Sequence, residues 1–172
     1  MKQISFLLTS ILLAFVLTSC ATTNAAESND PYLKKGINLD NAALNYVNRS
    51  VFFRLDDGHN GGGQADAAKN GKPGTAGSSC CFNIASLKKP VKVELNWDAV
   101  AEPAVLGPNG RLIFGKVLIP EVKKTITVNL PQRLPHIVQN DYKNSEDVMC
   151  LVIKDLDKAE LKYSKSYDCE DE

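Results

Sequence analysis

The chain has 172 residues, is 44% apolar, and carries 20 basic and 20 acidic side chains. That length suits one domain of roughly 100–150 residues with short extensions. Formal charges that cancel leave no basic stripe for phosphates, which argues against a nucleic-acid partner.

The first residues do not read as part of a fold. Met1-Lys2-Gln3 is a short, positively charged start, and Ile4 to Leu17 is an apolar run too short for a typical membrane span. Residues 1–19 therefore read as a secretory signal peptide. It ends in Leu17-Thr18-Ser19-Cys20, the pattern of a bacterial lipobox, which predicts lipid attachment at Cys20. Ala21 follows in place of the aspartate of an inner-membrane retention signal, so the expected address is the outer membrane, facing the periplasm. Several acyl chains would hold it there, each buried methylene contributing about 0.8 kcal/mol. Residues 20–30 are small and polar and read as a tether, which leaves 31–172 as a single periplasmic domain.

Lipidation of Cys20 leaves Cys80, Cys81, Cys150 and Cys169, an even set that predicts two disulfides in an oxidising compartment. Neighbours on a strand point to opposite faces, so Cys80 and Cys81 are expected to have different partners. Those partners are Cys150 and Cys169 in either order; a vicinal Cys80–Cys81 bridge is the strained alternative. Without Cys-x-x-Cys spacing, no metal site is predicted.

Taken in order, the chain reads as strands and loops. Val51, Phe53 and Leu55 have strand period, and Phe52 breaks the alternation, which predicts a strand covered on both faces. From Asp56 to Ser79 runs a glycine-rich stretch, longer than a hairpin turn and therefore functional or disordered. Val91, Val93, Leu95 and Trp97 alternate with Lys92, Glu94 and Asn96 in the clearest strand. Glu102 to Gly110 is loop, and Val117-Leu118-Ile119 is a short apolar strand that Pro120 ends or places at an edge. Thr125 to Leu130 alternates again. Val148-Met149-Cys150-Leu151-Val152-Ile153, apolar on both faces, predicts a central strand, and Ala159 to Tyr163 a last one. The expected fold is mostly β: a small disulfide-braced sandwich or partly open barrel with long loops.

Groups that could carry catalysis are sparse. His59 stands in Asp56-Asp57-Gly58-His59, where the turn preferences of Asp and Gly outweigh a metal cluster. His136 has no identifiable partner, and the chain lacks a nucleophile elbow, a zinc-protease helix, a phosphate loop and a dinucleotide fingerprint. Asp155, Asp157 and Glu160 imitate a calcium loop without its glycine. The expectation is a binding protein, not an enzyme, with no cofactor. Loops on rigid scaffolds carry recognition, so Asp56, Asp57, His59, Asn60, Gln64 and Asp66 are the candidate partner-binding residues.

The order Tyr46-x-Asn48-Arg49, a glycine-rich loop, Cys80-Cys81, a proline and Val91-x-Val93-x-x-x-Trp97 resembles a family of bacterial lipoproteins. Val117-Leu118-Ile119-Pro120 carries the likeness more faintly. Members of that family are associated with type VI secretion loci, often beside phospholipase effectors. The resemblance implies an immunity protein that binds and blocks a secreted effector of the lipase class. The alternative is a structural or assembly lipoprotein that binds another envelope component, and a small periplasmic enzyme is a remote third.

Overall fold

The computed structural model describes residues 30–56, 61–77, 79–136 and 144–170. The expected signal peptide, Cys20 and most of the expected tether lie outside them, as do Asp57, His59 and Asn60. The chain divides into two compact units, Met1–Gly36 and Ile37–Glu172.

In the first unit the described part is one helical turn, α1 (Pro31–Lys35). Its cap is local chemistry. The Asp30 carboxylate accepts from the backbone N–H of Tyr32 at 2.8 Å, and Pro31 sits where a missing N–H costs nothing. Lys34 and Lys35 face the negative end of the turn, and Gly36 stops it at φ 75°.

Every regular element among the described residues of the second unit is a strand. Its strands in chain order are β1 (Ile37–Asn45), β2 (Val51–Asp56), β3 (Gly62–Ala65), β4 (Gly74–Thr75), β5 (Ser79–Ile84), β6 (Val91–Trp97), β7 (Val100–Ala101), β8 (Val105–Leu106), β9 (Leu112–Ile113), β10 (Val117–Ile119), β11 (Val122–Val128), β12 (Val148–Asp155) and β13 (Lys158–Ser164). One sheet runs β13-β12-β1-β4, with β5 also on β1; a second runs β11-β6-β2-β3. The fold is mostly β and is not closed into a barrel.

β1 organises the first sheet. One edge pairs in parallel with β12, Ala42 opposite Cys150, and the other pairs antiparallel with β5 and β4. A strand flanked on both edges and covered on both faces needs apolar residues at successive positions. β12 supplies them: Val148 to Ile153 are all buried, as expected from the sequence. β1 is different, because Asn41 and Asn45 are buried in it. The Asn45 amide donates to the carbonyls of Arg49 (2.7 Å) and Asp66 (2.8 Å), and its oxygen accepts from Val47 N–H (3.0 Å). One satisfied side chain thereby shapes the β1–β2 turn and pins residue 66 to it.

In the second sheet β2 and β6 follow period 2. Val51, Phe53 and Leu55 are buried opposite Trp97, Leu95 and Val93, and the Trp97 indole N–H donates to the Leu156 carbonyl at 3.1 Å. Phe52 departs from expectation: it is 48% exposed, on the outer face with Arg54. The strand is covered on one face only.

The glycine-rich stretch is also not the loop it was expected to be. β3 pairs with β2, and the chain then folds back at Lys69-Asn70-Gly71-Lys72. Asn70 and Gly71 both have positive φ (54° and 76°), and Lys69 and Lys72 exchange both hydrogen bonds at 3.0 Å. This is the two-residue turn that Asn-Gly favours. The hairpin carries the chain from β3 in one sheet to β4 in the other. Gly74 is required where it passes Asp66, because a Cβ there would run into the Asp66 carbonyl.

Cysteine pairing corrects the other expectation. Cys150 pairs with Cys169, their Cα atoms 5.8 Å apart, within the range a disulfide spans. Neither Cys80 nor Cys81 is bonded to Cys150 or Cys169. The reason is strand order. β5 and β12 lie on opposite edges of β1, so their cysteines stand two strand spacings apart, about 9.5 Å, beyond disulfide reach.

Candidate functional site

The second sheet has an extension. β6 and β11 pair from Val91–Val128 to Trp97–Val122, and beyond that point the same two chain segments continue as a ribbon with no third strand among the described residues. β7 pairs with β10, then β8 pairs with β9. Residues 100–119 form this arm.

Local chemistry closes it. At the tip Gly107 N–H donates to the Arg111 carbonyl at 2.8 Å, and Gly110 turns the chain at φ 72°. Halfway down, Gly115 passes so close to Glu102 that a Cβ would strike the Glu102 carbonyl. Arg49 holds the base. It is buried, and its guanidinium donates to the carbonyls of Trp97 (3.3 Å), Asp98 and Pro120. Asp98 precedes β7 and Pro120 follows β10, so one side chain clamps both legs.

The arm's surface is unusual. Val105, Leu106, Leu112, Ile113, Phe114, Val117, Leu118 and Ile119 are all exposed, Leu106 by 74% and Phe114 by 84%. Register places Val105 and Ile113 on one face and Leu106 and Leu112 on the other. Both faces of the ribbon are therefore apolar and open to water. Large contiguous apolar surface of this kind marks an interaction site. Its charged residues are Glu102 and Lys116 towards the base and Arg111 beside the tip turn.

The residues expected to bind a partner do not converge with this arm. Asp56 is exposed at the end of β2, Gln64 is exposed on β3, and exposed Asp66 gives its carbonyl to Asn45. Asp57, His59 and Asn60 lie outside the described residues. Nothing in the alternation of residues 100–119 marked them as a site. Eight apolar residues without a covering strand would have been the signal, and only the tertiary pairing exposes it.

Elsewhere, three side chains knit the end of the first sheet. The Arg133 guanidinium meets Glu146 through both terminal nitrogens (2.7 and 2.6 Å) and lies 5.0 Å over the Tyr163 ring. That pairing holds the Glu146 carboxyl below its usual range. Burial pushes the Tyr163 hydroxyl up to about 12, and this hydroxyl donates to the Arg133 carbonyl at 2.9 Å.

Near β5, Asp40, Cys80 and Cys81 bring a carboxylate and two sulfurs within 4.8 Å of one another. The Tyr167 hydroxyl donates to Asp40 at 2.6 Å, which raises its own pKa. Asn41 is buried beside Gly61, with no hydrogen bond to its amide among the described residues. At the acidic end, the Ser166 hydroxyl lowers the pKa of Asp168. Among the described residues no helix is long and apolar enough to cross a membrane.

Comparison of the chain with protein-family models, with curated proteins and with solved structures finds no match.

Proposed function

We propose that this chain is a lipid-anchored protein of the outer membrane's periplasmic face that binds a secreted effector and blocks it by occlusion. The observation that carries the reading is the arm: exposed apolar side chains on both faces of a ribbon rooted in a rigid sheet. Occlusion asks for complementary surface and no catalytic group, and a few buried anchors, aromatic side chains and Arg above all, supply most of the energy of such contacts. The Leu17-Thr18-Ser19-Cys20 pattern supports the address. The resemblance of roughly residues 36–97 to lipoproteins of type VI secretion loci supports a lipase-class effector as the partner.

In this reading the recognition surface moves from the Asp56–Ser79 stretch to the arm. Deleting 61–77 would remove β3 and β4 and disrupt the body, so it cannot test recognition. The test is a challenge of cells by the effector encoded beside this chain. The full chain should protect, whereas Leu106→Ser with Phe114→Ser should fold normally and fail to protect. A full chain that protects against no adjacent effector overturns the immunity reading and favours the envelope-assembly role.

A further inference from the structure

The arm carries apolar side chains on both faces, and that separates docking modes. Against a flat partner only one face is covered; Val105 and Ile113, or Leu106 and Leu112, stay in water. A concave partner covers both. The tip adds a charge requirement. Between Pro103 and Gly115 the sole charged residue is Arg111, and its backbone is held by Gly107 N–H (2.8 Å to its carbonyl) and by the Asn109 side chain, which accepts from Arg111 N–H (3.2 Å). The turn therefore places a guanidinium at the leading end of an apolar wedge.

A bilayer would surround both faces too, but it fits the same surface poorly. Insertion would carry Arg111 toward hydrocarbon at the leading end. It would also strip water from the ribbon's two outer edges, whose backbone groups have no neighbouring strand among the described residues. A protein cleft can answer both demands, with a carboxylate for the guanidinium and polar groups along its walls for the edges.

We infer that the arm enters an apolar-walled cleft of a protein partner, with Arg111 paired to a carboxylate on the cleft floor. This deepens the binding-protein reading and rests on it. The wedge-shaped arm suits a cleft that accepts apolar substrate, and the guanidinium fixes register, since unpaired charge in a wrong cleft is costly.

The experiment uses the full chain in cells, with a photoreactive benzoylphenylalanine at Phe114 or, as a body control, at Phe52. Adducts are mapped to the linked residue by mass spectrometry. Phe114 should join a different protein at residues lining an apolar cleft that holds an Asp or Glu, and Phe52 should not. Arg111→Glu should lower that adduct at least tenfold, and replacing the partner's carboxylate with Lys should restore it to the Arg111→Glu chain. Phospholipid adducts, adducts to a second copy, equal labelling from Phe52, no adduct, or indifference to Arg111→Glu each overturn the cleft. Binding of the unlipidated Cys20→Ser chain to phosphatidylethanolamine–phosphatidylglycerol vesicles, lost in Leu106→Ser with Phe114→Ser, would assign the arm to the membrane instead. Protection that survives Arg111→Glu sinks the cleft and leaves the binding reading standing. Absence of protection by the unaltered chain sinks the binding reading itself.

Discussion

One hairpin contains two physically different regions. In its proximal half, β6 and β11 belong to a four-stranded sheet, and Val93 and Leu95 are at most 1% exposed. In its distal half, β7 to β10 have no third strand among the described residues, and Leu112 and Phe114 are 61% and 84% exposed. The side chains are equally apolar. What differs is the neighbour: β2 lies along β6, and nothing described lies along the arm. An isolated two-stranded ribbon is marginal in water, so the arm depends on its clamped base, while the body depends on burial. Substitutions should separate these dependencies.

The largest effect should come from Trp97→Ala, which removes a fully buried ring and its hydrogen bond to Leu156. A loss of about 3–5 kcal/mol is expected, read from the urea midpoint of the unlipidated chain. Opening the Cys150–Cys169 bridge by Cys150→Ala should cost about 3 kcal/mol, since it frees a loop closed across a separation of 19 residues. Reduced and oxidised wild type compared at one urea concentration provide the check.

Arg49→Ala tests the junction of the two regions. Losing charge-assisted bonds to Trp97, Asp98 and Pro120 should cost about 2 kcal/mol. Amide exchange should quicken across 100–119 more than across β12. Arg49→Lys should recover little of this, because an ammonium cannot reproduce the planar fork.

Glu146→Gln should act through pH. Arg133 depresses the folded pKa of Glu146 below 4.5, so its stabilisation is present above that value and is lost as pH falls through the lower folded value. The difference between wild type and Glu146→Gln should hold at neutral pH and shrink below pH 4.5 in urea titrations. The smallest stability effect belongs to the arm. Leu106→Ser with Phe114→Ser should shift stability by no more than about 0.5 kcal/mol, while abolishing partner binding. A loss comparable to that of Trp97→Ala would show that the arm is part of the core and end the distinction.

Much of the body was legible along the chain. Val91 to Trp97 alternates and buries its apolar face, and Val148 to Ile153, apolar at successive positions, occupies a strand with a neighbour on each edge. Asn70-Gly71 was an equally local signal, for a two-residue turn in a stretch whose glycine content suggested a loop. β1 was harder to read, because its buried Asn41 and Asn45 interrupt the apolar pattern. Asn45 is tolerable there only because carbonyls of residues 49 and 66 reach it, and the second of these arrives from another hairpin.

Local periodicity, turn residues and caps settle where strands form, because they act within a few residues of chain. Strand order is a long-range outcome, and it decided the rest. With β1 between β5 and β12, Cys150 is out of reach of Cys80 and Cys81 and pairs with Cys169. With β2 beginning only alongside Trp97, the hairpin beyond that point runs on uncovered among the described residues, and residues as apolar as any in the core become surface. A side chain's hydrophobicity belongs to the residue, but its burial depends on which distant strand comes to lie beside it.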